Sequence, residues 1–367
     1  MSIETARHTG AILTIDLAAI VANWRQLAAL TAPAPCAAVV KADAYGLGAN
    51  QVAAALQAAG CRNFFVVTVN EALSLGAAIG PSSRIGVLGG TPPGAARTLF
   101  DGRVTPVINS LAELAEWRGL ARVSGQTIPV IIQLDSGMSR FGLAPADVER
   151  IAADPSLLAG LHTELVISHL ACADEPGHPA NEAQRLQFGR LRALLPSAPA
   201  SLANSSGIFL GPAYVFDLGR PGAALYGLNP TPHLPNPMSP VVRVEAQIAQ
   251  IRDIGPGTGI GYAHSVIASR PTRLATLSIG YADGWPRASA AGAFFHGHRL
   301  PLSGRVSMDS LIVDVTDCPL PIAEGDLVEM IGPNQSADQL AAQSGTIGYE
   351  ILTRLGRRFE RRYSHEH

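Results

Sequence analysis

Apolar and polar positions over the first two thirds of the chain follow two alternating rhythms. Short, nearly unbroken apolar runs at residues 36–40, 63–67, 84–88, 104–108, 128–134, 165–168, 201–203 and 214–217 are mostly separated by Ala/Leu-rich stretches with helical spacing. Continuous apolar runs suit strands buried on both faces, as in a parallel sheet. A further short strand is expected at 12–15, after which Asp16 caps a helix whose Leu17, Ile20, Val21, Trp24 and Leu27 recur at helical spacing. Repeated strand and helix units of roughly 25 to 35 residues imply parallel pairing, and eight of them close naturally into a barrel. The expected fold class is therefore α/β, a (β/α)8 TIM-like barrel that ends near Leu228.

Beyond that point the rhythm changes. Pro230, Pro232, Pro235, Pro237 and Pro240 fall too densely for a helix or a central strand and read as a stiff linker. After them, β-branched alternating segments at 241–251, 274–279 and 311–315, broken by Gly and Pro, predict an antiparallel or mixed β domain. The expected division is a barrel over 1–235 and a mainly β C-terminal domain over 236–367, with the first strand free to join the latter. No internal repeat or low-complexity tract interrupts either part.

Composition narrows the partners. A chain of 367 residues can bury a substantial core, and a net charge of −2 with both signs in similar number offers no basic field to nucleic acid. A small-molecule partner is expected. The first residues lack an apolar targeting segment, and no later run reaches the ~20 apolar residues needed to span a bilayer. A cytoplasmic protein without membrane or nucleic-acid partners follows as the expectation. Cys36, Cys61, Cys172 and Cys318 form no C-x-x-C pair, which suits reduced structural thiols better than a disulfide framework or a metal site.

Chemistry enters with Lys41. It is the only lysine; the other 26 of the 27 basic residues are arginine. A guanidinium stays protonated and cannot condense with an aldehyde, whereas an ε-amine can lose its proton, form a Schiff base and act as a base. Four apolar residues run directly into Lys41, and the chain is then expected to turn at 45–48, which puts the amine at the end of a buried strand. In parallel barrels the chemistry sits at the carboxyl ends of the strands. The groups found there are Lys41 and Tyr45; Asp135, Met138 and Arg140; His169; Asn204, Ser205 and Ser206; and Arg220, followed by Pro221 and Gly222. Such a set suits a ligand bearing an aldehyde and a phosphate.

At these positions the chain resembles the alanine racemase family, pyridoxal-phosphate enzymes built from a barrel and a C-terminal β domain. The resemblance spans nearly the whole chain. It is carried by Val40-Lys41-Ala42-Asp43-Ala44-Tyr45-Gly46, Asp135-Ser136-Gly137-Met138-Ser139-Arg140, Ser168-His169-Leu170-Ala171, Asn204-Ser205, Arg220-Pro221-Gly222, Ile279-Gly280-Tyr281-Ala282-Asp283-Gly284 and Gly304-Arg305-Val306-Ser307-Met308-Asp309. Each motif alone is weak, and their shared order is what makes the signal specific.

The resemblance implies that Lys41 holds pyridoxal phosphate covalently and moves a proton on one face of the substrate α-carbon. Tyr262, supplied by the other subunit of a homodimer with shared active sites, would serve the opposite face. A phenol gives up its proton reluctantly near neutral pH, and the family meets this with a histidine bonded to that tyrosine and to an arginine, positions matching His169 and Arg220. Arg220 would also face the pyridine nitrogen, where many such enzymes place a carboxylate. Tyr45, Asn204, Ser205, Gly222 and Tyr349 match the cofactor-binding and phosphate-cradle positions; Arg140 and Met308 match those that meet the substrate carboxylate. Asp174, Tyr281 and Arg287 match a narrow entrance. The implied activity interconverts L-alanine and D-alanine, serving cell-wall synthesis or catabolism, with a broader amino-acid racemase and a non-catalytic pyridoxal-phosphate carrier as alternatives. The carrier lacks the β domain that supplies Tyr262 and Met308.

Two departures stand out against the family pattern. Gln133 occupies a position where many members carry a carbamylated lysine, so Arg140 loses a negative neighbour. Tyr262 is followed by Ala263-His264-Ser265 where glycine is usual, which is expected to reshape the entrance.

Overall fold

The computed structural model describes residues 10–365, which divide into two compact units. One holds Ile20–Ser239; the other joins the chain up to Ala19 to everything from Pro240 onward. Strand β1 (Ala11–Asp16) and helix α1 (Leu17–Thr31) open the described chain, and Asp16 Oδ1 accepts the Ala19 amide at 2.8 Å, the expected cap.

The first unit is a curled parallel sheet whose strands pair in sequence order: β2 (Ala38–Val39), β3 (Asn63–Val66), β4 (Arg84–Val87), β5 (Thr105–Ile108), β6 (Ile128–Gln133), β7 (Leu161–Ile167) and β8 (Ala200–Ser201). Between them run helices, among them the short left-handed element α2 (Lys41–Gly46), α3 (Ala49–Ala58) and α4 (Val69–Ile79). The eighth stave departs from expectation. Residues predicted as a strand at 214–217 begin in the helical turn Pro212–Val215, and the sheet is closed instead by the stretch that follows. There the Asp217 amide donates to Ala200 O at 2.8 Å, Gly219 bridges to Cys36, and Val39 N donates to Pro221 O at 2.9 Å. A side chain at Gly219 would meet Thr31 Cγ2 at 2.5 Å, so the stave needs glycine, and with Arg and Pro next in line its apolar signature disappears.

The bore is filled, not open. Ala37, Val39, Phe65, Val107, Ile131, Leu165, Ile167 and Leu218 pack as one buried cluster, contributed by successive staves as barrel layers require. Gly86 makes room for the Phe65 ring, which a Cβ there would approach to 2.7 Å.

The second unit is a β structure around one long strand. Its main sheet runs β14 (His298–Leu300), β13 (Ala293–Phe295), β16 (Leu327–Ile331), β9 (Val242–Ile254), β1, β17 (Glu360–Ser364), and β12 (Thr272–Leu277) pairs with both β9 and β15 (Leu311–Asp314). The first strand therefore belongs here: β1 lies antiparallel to β9 and parallel to β17. A separate hairpin joins β10 (Gly259–Ile260) to β11 (Val266–Ile267). No helix among the described residues is long and apolar enough to cross a membrane.

Phe65→Ala, at a core position that is 3% exposed, should cost about 3 to 5 kcal/mol through lost burial and a residual cavity. Val123→Ala, at a position 79% exposed, should change stability by less than about 0.5 kcal/mol. Urea denaturation of both variants against the parent chain checks this contrast.

Candidate active site

Directly after β2 the backbone reverses its hand. Ala42, Asp43, Ala44 and Tyr45 all lie in the left-handed region, with φ of 52°, 55°, 53° and 56°. For L-residues with a Cβ this costs roughly 1–2 kcal/mol each, so the surroundings must hold it. They do so from several sides. Ala44 N donates to Val40 O and Gly48 N to Asp43 O, both at 2.9 Å. The Asp43 carboxylate accepts Ala49 N at 2.7 Å, Glu71 Oε1 accepts Ala42 N at 2.7 Å, and the Tyr45 ring lies 4.7 Å from that of Tyr226. The turn thus begins four residues before the expected 45–48. Its first residue, Lys41, is half-buried at the carboxyl end of the strand. Burial and the nearby Arg140 guanidinium lower the Lys41 amine below the usual lysine range, and Glu71 opposes them.

Arg140 stands on a loop shaped by Asp135. Burial alone would raise that carboxyl, but the Gly137, Ser139 and Met138 amides all donate to it and hold it below its ordinary value. Asp135 is therefore committed to backbone and forms no ion pair with Arg140. Gln133 is buried beneath the same loop; its side chain makes no hydrogen bond among the described residues, to Arg140 or to anything else.

His169 follows β7. Burial and then the charges of Arg220, Arg140 and Lys41 push its imidazole down to about 3, so it is neutral at physiological pH. Gln184 fixes its backbone, donating to His169 O at 3.0 Å while accepting the Ala171 amide at 2.9 Å. Arg220 is buried without a carboxylate partner among the described residues. Its Nε donates to Ser201 Oγ at 2.8 Å and its Nη2 to the carbonyls of Ser168, Ser201 and Leu202. Burial lowers Arg220 to about 10, still charged near neutrality. The expected His169–Arg220 hydrogen bond is absent among the described residues; the pair is linked by electrostatics and by the Ser168 carbonyl one residue before His169.

Beyond β8, the Asn204 side chain accepts the Gly207 amide at 2.9 Å as a helix cap and donates through Nδ2 to Leu170 O at 3.5 Å. Ser205, which is buried, brings the Gly222 and Ala224 amides together on its Oγ at 3.0 and 3.1 Å. A side chain at Gly222 would lie 2.5 Å from Tyr45 Oη, so the backbone here approaches that hydroxyl as closely as glycine allows. Asp174 lies exposed on the loop after β7.

The second unit gathers another set. Tyr262 stands at the tip of the β10–β11 hairpin, 68% exposed, between Gly261 and two further left-handed residues, Ala263 and His264. Ala263 has φ 58°, the region glycine enters most easily. Tyr281 N donates to Ser307 O and Ala282 N to Met308 O, placing exposed Tyr281 beside exposed Met308. A Cβ on Gly280 would meet Met308 O at 2.3 Å, which fixes that close approach. Arg358 pins the two segments by pairing with Asp283 at 3.1 Å and Asp309 at 2.7 Å. Arg287 is exposed nearby in sequence, and Tyr349 is partly exposed on the helix Gly348–Arg354.

Several supporting residues carried no signal along the chain. Glu71, Gln184, Tyr226, Ser168 and Ser201 act through partners far away in sequence. Only Ser168, inside the Ser168-His169 motif, stood next to a marked position.

Residues 15–230 match the family described as alanine racemase, N-terminal domain, and residues 241–363 match alanine racemase, C-terminal domain. A catabolic alanine racemase from Mesorhizobium japonicum is 58% identical over 355 residues, 96% of this chain and 93% of that protein. An alanine racemase from Acidiphilium cryptum is 50% identical, with 95% of this chain and 97% of that protein covered. Among solved structures, alanine racemase from Bartonella henselae with covalently bound pyridoxal phosphate aligns with a TM-score of 0.94 at 45% identity, over 97% of this chain and 100% of that one. The biosynthetic alanine racemase of Pseudomonas aeruginosa aligns with a TM-score of 0.88 at 37% identity, over 97% and 100%. With both halves matched in order and relatives this similar over nearly its full length, the chain belongs to the alanine racemase family.

Proposed function

We propose that this protein interconverts L-alanine and D-alanine with pyridoxal phosphate as cofactor, working as a homodimer whose active sites are shared between subunits. The observation that carries this reading is the single lysine, held half-buried at a barrel strand end with a depressed amine, next to a cluster of cations and a cradle of hydroxyl and amide donors.

The residues fit such a cofactor. Ser205 Oγ, the Gly222 and Ala224 amides and Tyr45 Oη lie close together, a set of hydroxyl and amide donors suited to a small dianion. Tyr349 is proposed to add a second phenol to it. Lys41 would hold the aldehyde carbon, and its lowered proton affinity leaves more free amine near neutrality than an ordinary lysine has. When bound, pyridoxal phosphate supplies an electron-withdrawing ring that acidifies the α-proton of an attached amino acid. Arg220, held by hydroxyl and carbonyl oxygens, is suited to face the ring nitrogen and discourage its protonation.

The chain's own groups then handle the proton. Lys41 Nζ would take or return it at the α-carbon on one face, and Tyr262 Oη of a second copy on the other. Neutral His169 has a free lone pair to accept a hydrogen bond from that phenol. Arg140 and the Met308 amide of the second copy would hold the substrate carboxylate, and Asp174, Tyr281 and Arg287 would narrow the approach. A second copy is favoured by the exposure of Tyr262 at 68%, Met308 at 53%, Ile267 at 54% and Val266 at 40% on the β unit. A cytoplasmic setting suits four cysteines that are all free.

Borohydride reduction of the purified protein should leave one modified peptide, the one containing Lys41, as read by mass spectrometry. In deuterated water the same protein should exchange the α-proton of alanine while racemising it, and Lys41→Arg should lose at least about 10³-fold in rate. Bound cofactor without α-proton exchange would mark a carrier instead.

Tyr262→Phe should cut racemisation by ~10²–10⁴-fold while leaving α-proton exchange from one enantiomer, because only one face loses its base. Equal loss of exchange from both enantiomers would contradict the two-base scheme.

Folding holds the His169 pKa below its ordinary 6.5, so the unfolded chain binds more protons between about 6.5 and about 3. Stability from this residue is therefore full above that window and is lost as pH falls through it. Thermal melts from about pH 7 to about pH 5 should show His169→Asn losing less than the parent chain.

A further inference from the structure

The capping box at the head of α4 does more than close a helix. In that box Glu71 N donates to Thr68 Oγ1 at 3.2 Å and Glu71 Oε2 accepts the amides of Thr68 at 3.0 Å and Val67 at 2.8 Å. A cap needs nothing further. Yet the other oxygen, Oε1, reaches across to the Ala42 amide at 2.7 Å, the first left-handed residue and the immediate neighbour of Lys41. Both oxygens are thus engaged by backbone N–H groups, and no cation pairs with Glu71 among the described residues. Its charge acts on the Lys41 amine, raising its proton affinity.

We propose that Glu71 is a positioning residue for Lys41, tying the strained turn to the head of α4 and keeping a negative charge next to the lysine. This deepens the racemase reading and rests on it. A carboxylate is required because two oxygens must accept at once, whereas an amide has a single acceptor oxygen and would abandon either Ala42 or the helix head. The charged and titratable groups that act with the lysine are Arg140 from the loop after β6, Glu71, and His169 from the end of β7, on which Arg220 of the closing stave also acts; Asp43 and Tyr45 lie on its own turn. Of these, Arg140 lowers the proton affinity of Lys41 and Glu71 raises it, so Glu71 limits how far the amine is depressed.

The test uses the lone lysine. Protein stripped of cofactor is exposed to pyridoxal phosphate across a pH series, reduced with borohydride and weighed by mass spectrometry, giving the pH midpoint for capture at Lys41. Glu71→Gln should move that midpoint down by roughly half a pH unit or more, since a nearby negative charge is lost. Thr68→Val weakens the same helix cap without touching the carboxylate and should keep the parent midpoint. A midpoint unchanged in Glu71→Gln, or shifted equally in both variants, overturns the proposal. If Glu71→Gln does not fold, Glu71→Asp keeps the charge on the helix end but is one methylene too short for Ala42. Hydrogen exchange across residues 41–46 should then accelerate at least several-fold, and unchanged exchange there overturns the positioning role. A parent chain that captures no cofactor at Lys41 would defeat the racemase reading itself, an outcome separate from any behaviour of the variants.

Discussion

Four consecutive left-handed residues after β2 are the constraint on which the rest of the site depends. Ala42 to Tyr45 wind against the hand that L-residues prefer, at a cost of several kcal/mol in sum by the usual scale. What the reversal achieves is compactness. Lys41 stays at the strand end while, four residues later, Tyr45 is buried against Tyr226 with its hydroxyl near Gly222. Amine and cradle are set by one short piece of backbone, and the carboxylates of Asp43 and Glu71 brace it at its end and its start.

Electrostatics build on that frame. Lys41, Arg140 and Arg220 all act on His169, and burial removes the water that would screen them. The outcome is a neutral imidazole surrounded by positive charge, with Arg220 satisfied by carbonyl and hydroxyl oxygens instead of an acid. Such a field favours an anionic ligand and penalises any further proton. Asp135 turns one carboxylate oxygen to its own loop, where Oδ1 accepts three backbone amides.

Much of this architecture was legible along the chain. Runs of buried apolar residues marked seven barrel strands, Asp16 marked the start of α1, and the proline-dense stretch preceded the change to β structure. The eighth stave was displaced because its residues, Leu218-Gly219-Arg220-Pro221, serve close packing and the site instead of an apolar face. The first strand could not be assigned by rhythm alone. A four-residue apolar pattern reads the same in either unit, and only its hydrogen bonds to β9 and β17 decide.

By itself the sequence determined the fold class, the family and the identity of the one amine, since these rest on residue type, order and local period. Tertiary structure decided how the site residues are used. It turned Asn204 into a helix cap, left the Gln133 side chain without a hydrogen bond among the described residues, replaced an expected His169–Arg220 bond by shared contact through Ser168, and recruited Glu71, Gln184 and Tyr226. The physical reason is range. Spacing along a chain encodes contacts within a few residues, whereas a carboxylate 29 positions away or a glutamine 15 positions away becomes a neighbour only when the barrel closes.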